Sequence, residues 1–176
     1  QPNLFHKLTY TNEDKDSYIL KNGYCTSWNE LKNNDMKANW LNGGMTSWRL
    51  KKLKKLKSRK YPLISWCVAE DLIFSYEVSK KFTLLISKNA RAKYIKKNEN
   101  ITIKSNFLKG FYHSKIIHSF VIFEKKFSYL LYLYSTVSSS LIGFTLSLFR
   151  LDINNAARFI GRFLGIISFY GKEKFK

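Results

Sequence analysis

Acids are the scarce charge in this sequence. Its 176 residues hold 12 Asp and Glu against 31 Lys and Arg, a formal net charge of +19. So basic a surface excludes a cationic partner and points to anionic ones. Arginine is scarce as well, six of the 31 bases. Phosphate recognition by bidentate contacts favours Arg over Lys, so nucleic acid ranks behind an anionic membrane surface or an anionic substrate. There are two cysteines, Cys25 and Cys67, with neither a CxxC pair nor a His at ligand spacing. That pattern argues against a zinc site and reads as two reduced thiols of a cytosolic protein. Of the three histidines, His113 and His118 lie five apart rather than at the i, i+4 spacing of paired helical ligands, and are expected at surface or membrane-edge positions. The sequence shows no internal repeat, and its start at Gln1 carries no secretory-signal pattern. A further N-terminal portion is expected ahead of Gln1.

Apolar residues, by contrast, are plentiful. Hydrophobic residues make up 45% and aromatics 16%, which excludes a disordered chain despite the charge. The length suits one domain, or part of a larger one, with a sizeable core. Residues 1 to about 48 are polar and mixed, with turn signals at "TNEDKD" and "KNG", and read as short strands and loops. In "RLKKLKKLKSRK", Leu50, Leu53 and Leu56 put a narrow apolar stripe on a basic helix that Pro62 ends. "AEDLIFSYEVSKK" reads as a second helix with Leu72, Ile73, Tyr76 and Val78 on its buried face, and "KFTLLISKN" as a buried strand. Helix, helix and strand together predict an α/β layer.

The last third is apolar and helical. From Phe127 to Phe149 no residue is charged over 23 positions, long enough to cross a bilayer, although six serines leave a buried or interfacial helix open. After it, Phe159, Ile160, Phe163, Leu164 and Ile167 share one helical face, with Arg158 and Arg162 off it. That helix lies on a membrane surface or docks on its predecessor.

Two stretches carry the candidate chemistry. Glu70 and Asp71 open the "EDLIFSY" helix, where unpaired backbone N–H groups and the helix dipole hold a carboxylate ionised and fixed in direction. Such a carboxylate can serve as a general base; the alternative is a cap. Upstream, "NWLNGGMTSWR" contains Gly43-Gly44, which lets a backbone turn sharply or approach a ligand closely.

The order and spacing of "WLNGGMTSWR" and "AEDLIFSYEVSKKFTLLISKNARAKY" resemble the acceptor-side half of family 2 glycosyltransferases of the GT-A fold. The resemblance covers residues 38 to 95, and more loosely 105 to 176 as a basic, membrane-proximal helical tail. It implies a partial GT-A mixed sheet within residues 1–112 and a membrane-associating helical tail over 113–176. It also implies an inverting transfer of sugar from a nucleotide-sugar donor to a glycan or lipid-linked acceptor. Asp71 would be the general base and Glu70 would orient the acceptor. Gly43, Gly44 and Met45 would line the floor under the sugars, with Trp48 and Arg49 as further substrate-binding candidates. The chain departs from the family pattern at Glu77, where Arg is frequent, and in "SKNARAKYI", which lacks the Pro and His of relatives. No Asp-x-Asp follows an apolar strand. The nucleotide-binding half, with its divalent cation (Mn or Mg), is therefore expected ahead of Gln1, and this chain alone should be inactive and bind no metal. The expected location is the cytoplasmic side of a membrane, peripheral or single-span. The competing reading is a basic membrane-associated or RNA-binding interaction protein without catalytic activity.

Overall fold

The computed structural model describes residues 4–9, 18–26, 35–41, 46–49, 51, 69–87, 89 and 102–168. In chain order these form helix α1 (Leu4–Thr9), strand β1 (Met36–Ala38), helix α2 (Glu70–Ser79), strand β2 (Leu84–Ile86), and helices α3 (Ile103–Phe123), α4 (Tyr129–Phe149) and α5 (Ile153–Ile167). The protein is mostly helical, with a small two-stranded antiparallel sheet. A mixed sheet was expected; among the described residues β1 and β2 pair antiparallel only, Met36 opposite Ile86 and Ala38 opposite Leu84. "TNEDKD" and almost all of "RLKKLKKLKSRK" lie outside the described residues.

The "KNG" turn forms as its composition predicts. Gly23 takes φ +80°, a conformation that only glycine adopts without strain, and its N–H donates to the Leu20 carbonyl at 2.9 Å. The turn joins Tyr18 to Thr26 in a short hairpin bridged at Ile19 and Cys25. Residues 4–9, expected among strands and loops, instead make a helical turn and a half, tied to α4 by the Tyr134 hydroxyl donating to the Leu8 carbonyl at 2.8 Å.

Helix α2 buries Leu72, Tyr76 and Val78, though on two sides rather than the one face expected, while Ile73 is only partly covered. Val78 packs with Ala38, Leu84 and Ile86 of the sheet. Strand β2 alternates rather than being buried throughout: Leu85 is 58% exposed because α2 covers one face of the sheet only. The other side of α2 enters the main core, where Leu72 and Tyr76 meet Ile19, Leu20, Tyr24, Ile117, Phe120, Val121 and Tyr132. Tyr76 stands edge-on to Phe120 with ring centroids 5.2 Å apart. Helix α3 runs unbroken through residues 112 and 113, and its C-terminal half is thus shared between this core and the helices that follow.

Thr102, Ser128 and Asp152 cap the starts of α3, α4 and α5, each accepting a backbone N–H two or three residues on. The three helices pack in an unusual way. Helix α5 presents Gly161 and Gly165 to the Phe107–Ser114 stretch of α3, and α3 presents Gly110 to Arg158 and Arg162 of α5. A Cβ at Gly110 would collide with the Arg158 carbonyl oxygen, and one at Gly161 with that of Phe107. Backbones in contact need small residues at the seam. Helix α4 turns inward Tyr132, Ser135, Thr136, Ser139, Ser140, Gly143 and Ser147. Outward it shows Leu130, Tyr134, Leu141, Leu146, Leu148 and Phe149, and α5 shows Ile153, Ile160, Phe163, Leu164 and Ile167. Of the described helices, α4 is the one long and apolar enough to cross a membrane.

Candidate functional site

The acid pair sits at the start of α2 in a locally strained chain. Ala69, at the N-cap position, has φ 73° and ψ 18°, left-handed for a residue with a Cβ, and supplies no side-chain cap. Non-glycine residues in this region cost of the order of 1 kcal/mol and persist where surrounding contacts hold them. Asp71 is not the N-cap. Lying in the first turn, it accepts the N–H of Leu72 on Oδ1 at 2.8 Å, which fixes the carboxylate's direction. Asp71 is partly buried and Glu70 exposed, so the two acids stand in different surroundings. Beside Asp71 lies the free thiol of Cys25: burial first, and the Asp71 charge second, push it up to about 12. A thiol that remains protonated is no nucleophile, so Cys25 fills space next to the carboxylate.

The second stretch meets α2 from both ends. Before the glycine pair, the Leu41 carbonyl accepts a hydrogen bond from Ser75 Oγ at 3.1 Å. After it, Trp48 stands edge-on to Phe74, ring centroids 4.9 Å apart. Trp40, next to Leu41, donates from Nε1 to the Thr26 carbonyl at 3.1 Å, anchoring the same segment to the hairpin that holds Cys25. Leu41 and Trp48 thus bring the ends of the glycine-containing loop to the helix that Glu70 and Asp71 begin. Arg49 is exposed. Gly43, Gly44 and Met45 lie outside the described residues.

No family model, curated protein or solved structure matches this chain. Its function therefore has to be read from these residues.

Among the described residues, no three His, Cys, Asp or Glu side chains converge on a point where a metal ion could sit. The histidines expected at the surface are interior instead. His118 is 2% exposed, edge-on to Tyr129 and Tyr132 at 5.5 and 5.6 Å, and His113 Nδ1 is shut off from solvent. They are interior because α3 is covered on two sides, by α5 and by the core around Tyr24 and Tyr132. Sequence reasoning also left unused the grouping of His113 with Arg158 and Arg162. The signal was an Arg pair at i, i+4 on the side of α5 away from its apolar face.

Proposed function

We propose that this chain is the acceptor-side lobe of a family 2, GT-A-type glycosyltransferase, membrane-seated through α3–α5 and completed by a nucleotide-binding half ahead of Gln1. The observation that carries the reading is the meeting of its two motifs. Leu41 and Trp48, on either side of Gly43-Gly44, both engage the helix that opens with Glu70 and Asp71. Stretches separated by 26 residues, from Gly44 to Glu70, are thereby parts of one place. The left-handed Ala69 adds to this, because strain of that kind is concentrated where a side chain must be aimed.

In this reading Asp71 accepts the proton of an acceptor hydroxyl as its oxygen attacks the anomeric carbon of the donor. The bond to the nucleoside diphosphate breaks, and the configuration inverts. The Leu72 N–H bonded to Oδ1 fixes the direction in which the carboxylate meets the incoming hydroxyl. Exposed Glu70 orients the acceptor; Gly43, Gly44 and Met45 form the floor beneath the sugars, and Trp48 with Arg49 the wall. By the resemblance, a divalent cation would be held by the preceding half, where it would neutralise charge on the leaving diphosphate. The inverted polarity of α4 and α5 supports the membrane seat, on the cytoplasmic side where a basic surface meets anionic lipid.

The test is Asp71→Asn in the complete enzyme. Asn still accepts the Leu72 N–H, so the fold should hold, while sugar transfer should fall by about a hundredfold or more with donor affinity retained. Glu70→Gln should cost less. Parental transfer by Asp71→Asn would return Asp71 to a structural role and favour the non-catalytic, membrane-associated reading, which the helical bundle supports equally well.

A further inference from the structure

We infer that Arg158 and Arg162 of α5 and His113 of α3, grouped beside Tyr24, form a binding site for a phosphate group. The close seam at Gly110 brings the α3 backbone against Arg158 and Arg162, and His113 follows Gly110 by one helical turn. The Arg162 guanidinium lies over the Tyr24 ring at 5.5 Å, and that ring is 6.1 Å from the His113 imidazole. The Tyr24 hydroxyl is held by Thr136 Oγ1 at 2.8 Å. Arg162 and His113 thus meet at one aromatic ring at the junction of α3, α4 and α5, and Arg158 lies one helical turn before Arg162 on the same side of α5.

Two features make this an unfinished arrangement without a ligand. First, its charge is uncompensated: neither guanidinium has a carboxylate partner among the described residues. Burial, and then Arg162, lower the Arg158 pKa, and burial with the two guanidiniums takes His113 down to about 3. Gathering cations that repel one another costs stability unless an anion joins them. Second, hydrogen-bonding capacity is left over. His113 Nδ1 is buried with no hydrogen-bond partner among the described residues. A phosphate has the charge and the acceptor oxygens to satisfy paired guanidiniums, and it would keep a proton on the imidazole.

Access and orientation point to where the phosphate comes from. Arg158 keeps an exposed side. At 100° per residue, Arg158 and Arg162 lie opposite Ile160, Phe163, Leu164 and Ile167, whose side chains are exposed. A helix with that face in the acyl boundary holds its arginines at headgroup level, where phosphates are.

The experiment uses the full chain with vesicles matched in surface charge, containing either phosphatidic acid, a terminal phosphate, or phosphatidylglycerol, a phosphodiester. Inorganic phosphate without vesicles is followed in parallel by phosphorus NMR line broadening. For a lipid-borne phosphate, phosphatidic acid should be preferred by about tenfold, the free-energy equivalent of one charge-assisted hydrogen bond. The double variant Arg158→Lys/Arg162→Lys, which keeps the charge but loses the bidentate fork, should abolish the preference while retaining helical circular dichroism. Broadening of inorganic phosphate that the same variant removes, with no preference among vesicles, supports the site and makes its ligand a soluble phosphate. If the parent shows neither effect, or the Lys variant retains both, the proposal is overturned. No outcome depends on sugar transfer, so this site and the transferase reading stand or fall separately.

Discussion

Around α2 and the sheet the buried side chains are Ala38, Leu72, Tyr76, Val78, Leu84 and Ile86 with Ser75 as the single polar one, and the charged Glu70 is outside. In α4 six of the seven buried residues are serine, threonine or glycine, and the large apolar side chains are outside. The first arrangement is what water selects, since burying apolar surface stabilises by about 25 cal/mol per Å². The second gains nothing in water. It suits a medium as apolar as leucine itself, in which helices associate through small residues and interhelical hydrogen bonds. Asn22 donating to Ser135 Oγ at 2.7 Å, and Tyr132 donating from its hydroxyl to the Ser114 carbonyl at 3.0 Å, are bonds of that second kind. Under the proposed membrane seat the chain has two interiors suited to two solvents, and α3 belongs to both.

The largest effect expected from breaking this comparison is at the glycine seam. Gly110→Val places two methyl groups where the Arg158 backbone lies, and the helices must separate. The loss should be about 3 kcal/mol or more, at the upper end for overpacking, because a backbone cannot move aside as a flexible side chain can. Thermal unfolding by circular dichroism should show the helical signal lost at markedly lower temperature. An unchanged midpoint would mean that α3 and α5 do not meet at Gly110.

A paired substitution sharpens the contrast. Leu72, 2% exposed, and Leu141, 57% exposed, are the same residue type in the two kinds of surroundings. In aqueous buffer Leu72→Ala should destabilise by about 3 kcal/mol, the usual cost of a core cavity, and Leu141→Ala by less than about 0.5 kcal/mol. Toward vesicles the order should reverse. Leu141→Ala should weaken partitioning several-fold while Leu72→Ala leaves it unchanged. Equal partitioning of both variants would remove lipid from the account of the outer face of α4.

Much of this could be read in the sequence where local pattern and tertiary environment agree. The α2 helix shows because Leu72 and Tyr76 recur at helical spacing behind an acidic first turn, and the uncharged run shows α4. The orientation of the tail could not be read. An apolar face on α5 looks the same whether it docks on protein or on lipid, and only the seams at Gly110 and Gly161 show that its small residues are the ones packed. A short strand was expected somewhere in residues 1 to about 48, but its place at β1 was hidden because "MKA" is too short to show a pattern and acquires strand geometry from β2. The histidines misled because hydropathy scores imidazole as polar, whereas His118 is enclosed by the Tyr129 and Tyr132 rings. For the site, the acid pair and the glycine pair were legible as motifs. The contacts of Leu41 with Ser75 and of Trp48 with Phe74 were not, since none of these residues has a functional signature.

The smallest predicted effect concerns the junction between the two interiors. Lys80, just past α2, bridges Glu124, just past α3, and Glu77, each at 2.8 Å. Its side chain is 33% exposed and that of Glu124 9%, so the bridge spans the boundary of the core beneath Tyr76. Desolvation lowers the Lys80 pKa, but hydrogen bonds to Glu124 and Glu77 outweigh it and hold the ammonium above its ordinary value. With the folded pKa raised, the bridge's contribution is fully present below the unfolded value near 10.4 and is lost as pH rises through the folded one. Neutral pH should therefore show the whole effect. Solvent screening limits it to about 1 kcal/mol, as for other half-exposed pairs. A double-mutant cycle with Lys80→Met and Glu124→Gln, followed by denaturant unfolding at neutral pH and again above pH 11, should give a coupling energy of that size that vanishes at the higher pH. A coupling that persists there would mean that the two regions are joined by the Tyr76–Phe120 packing alone, and that the bridge reports their contact without contributing to it.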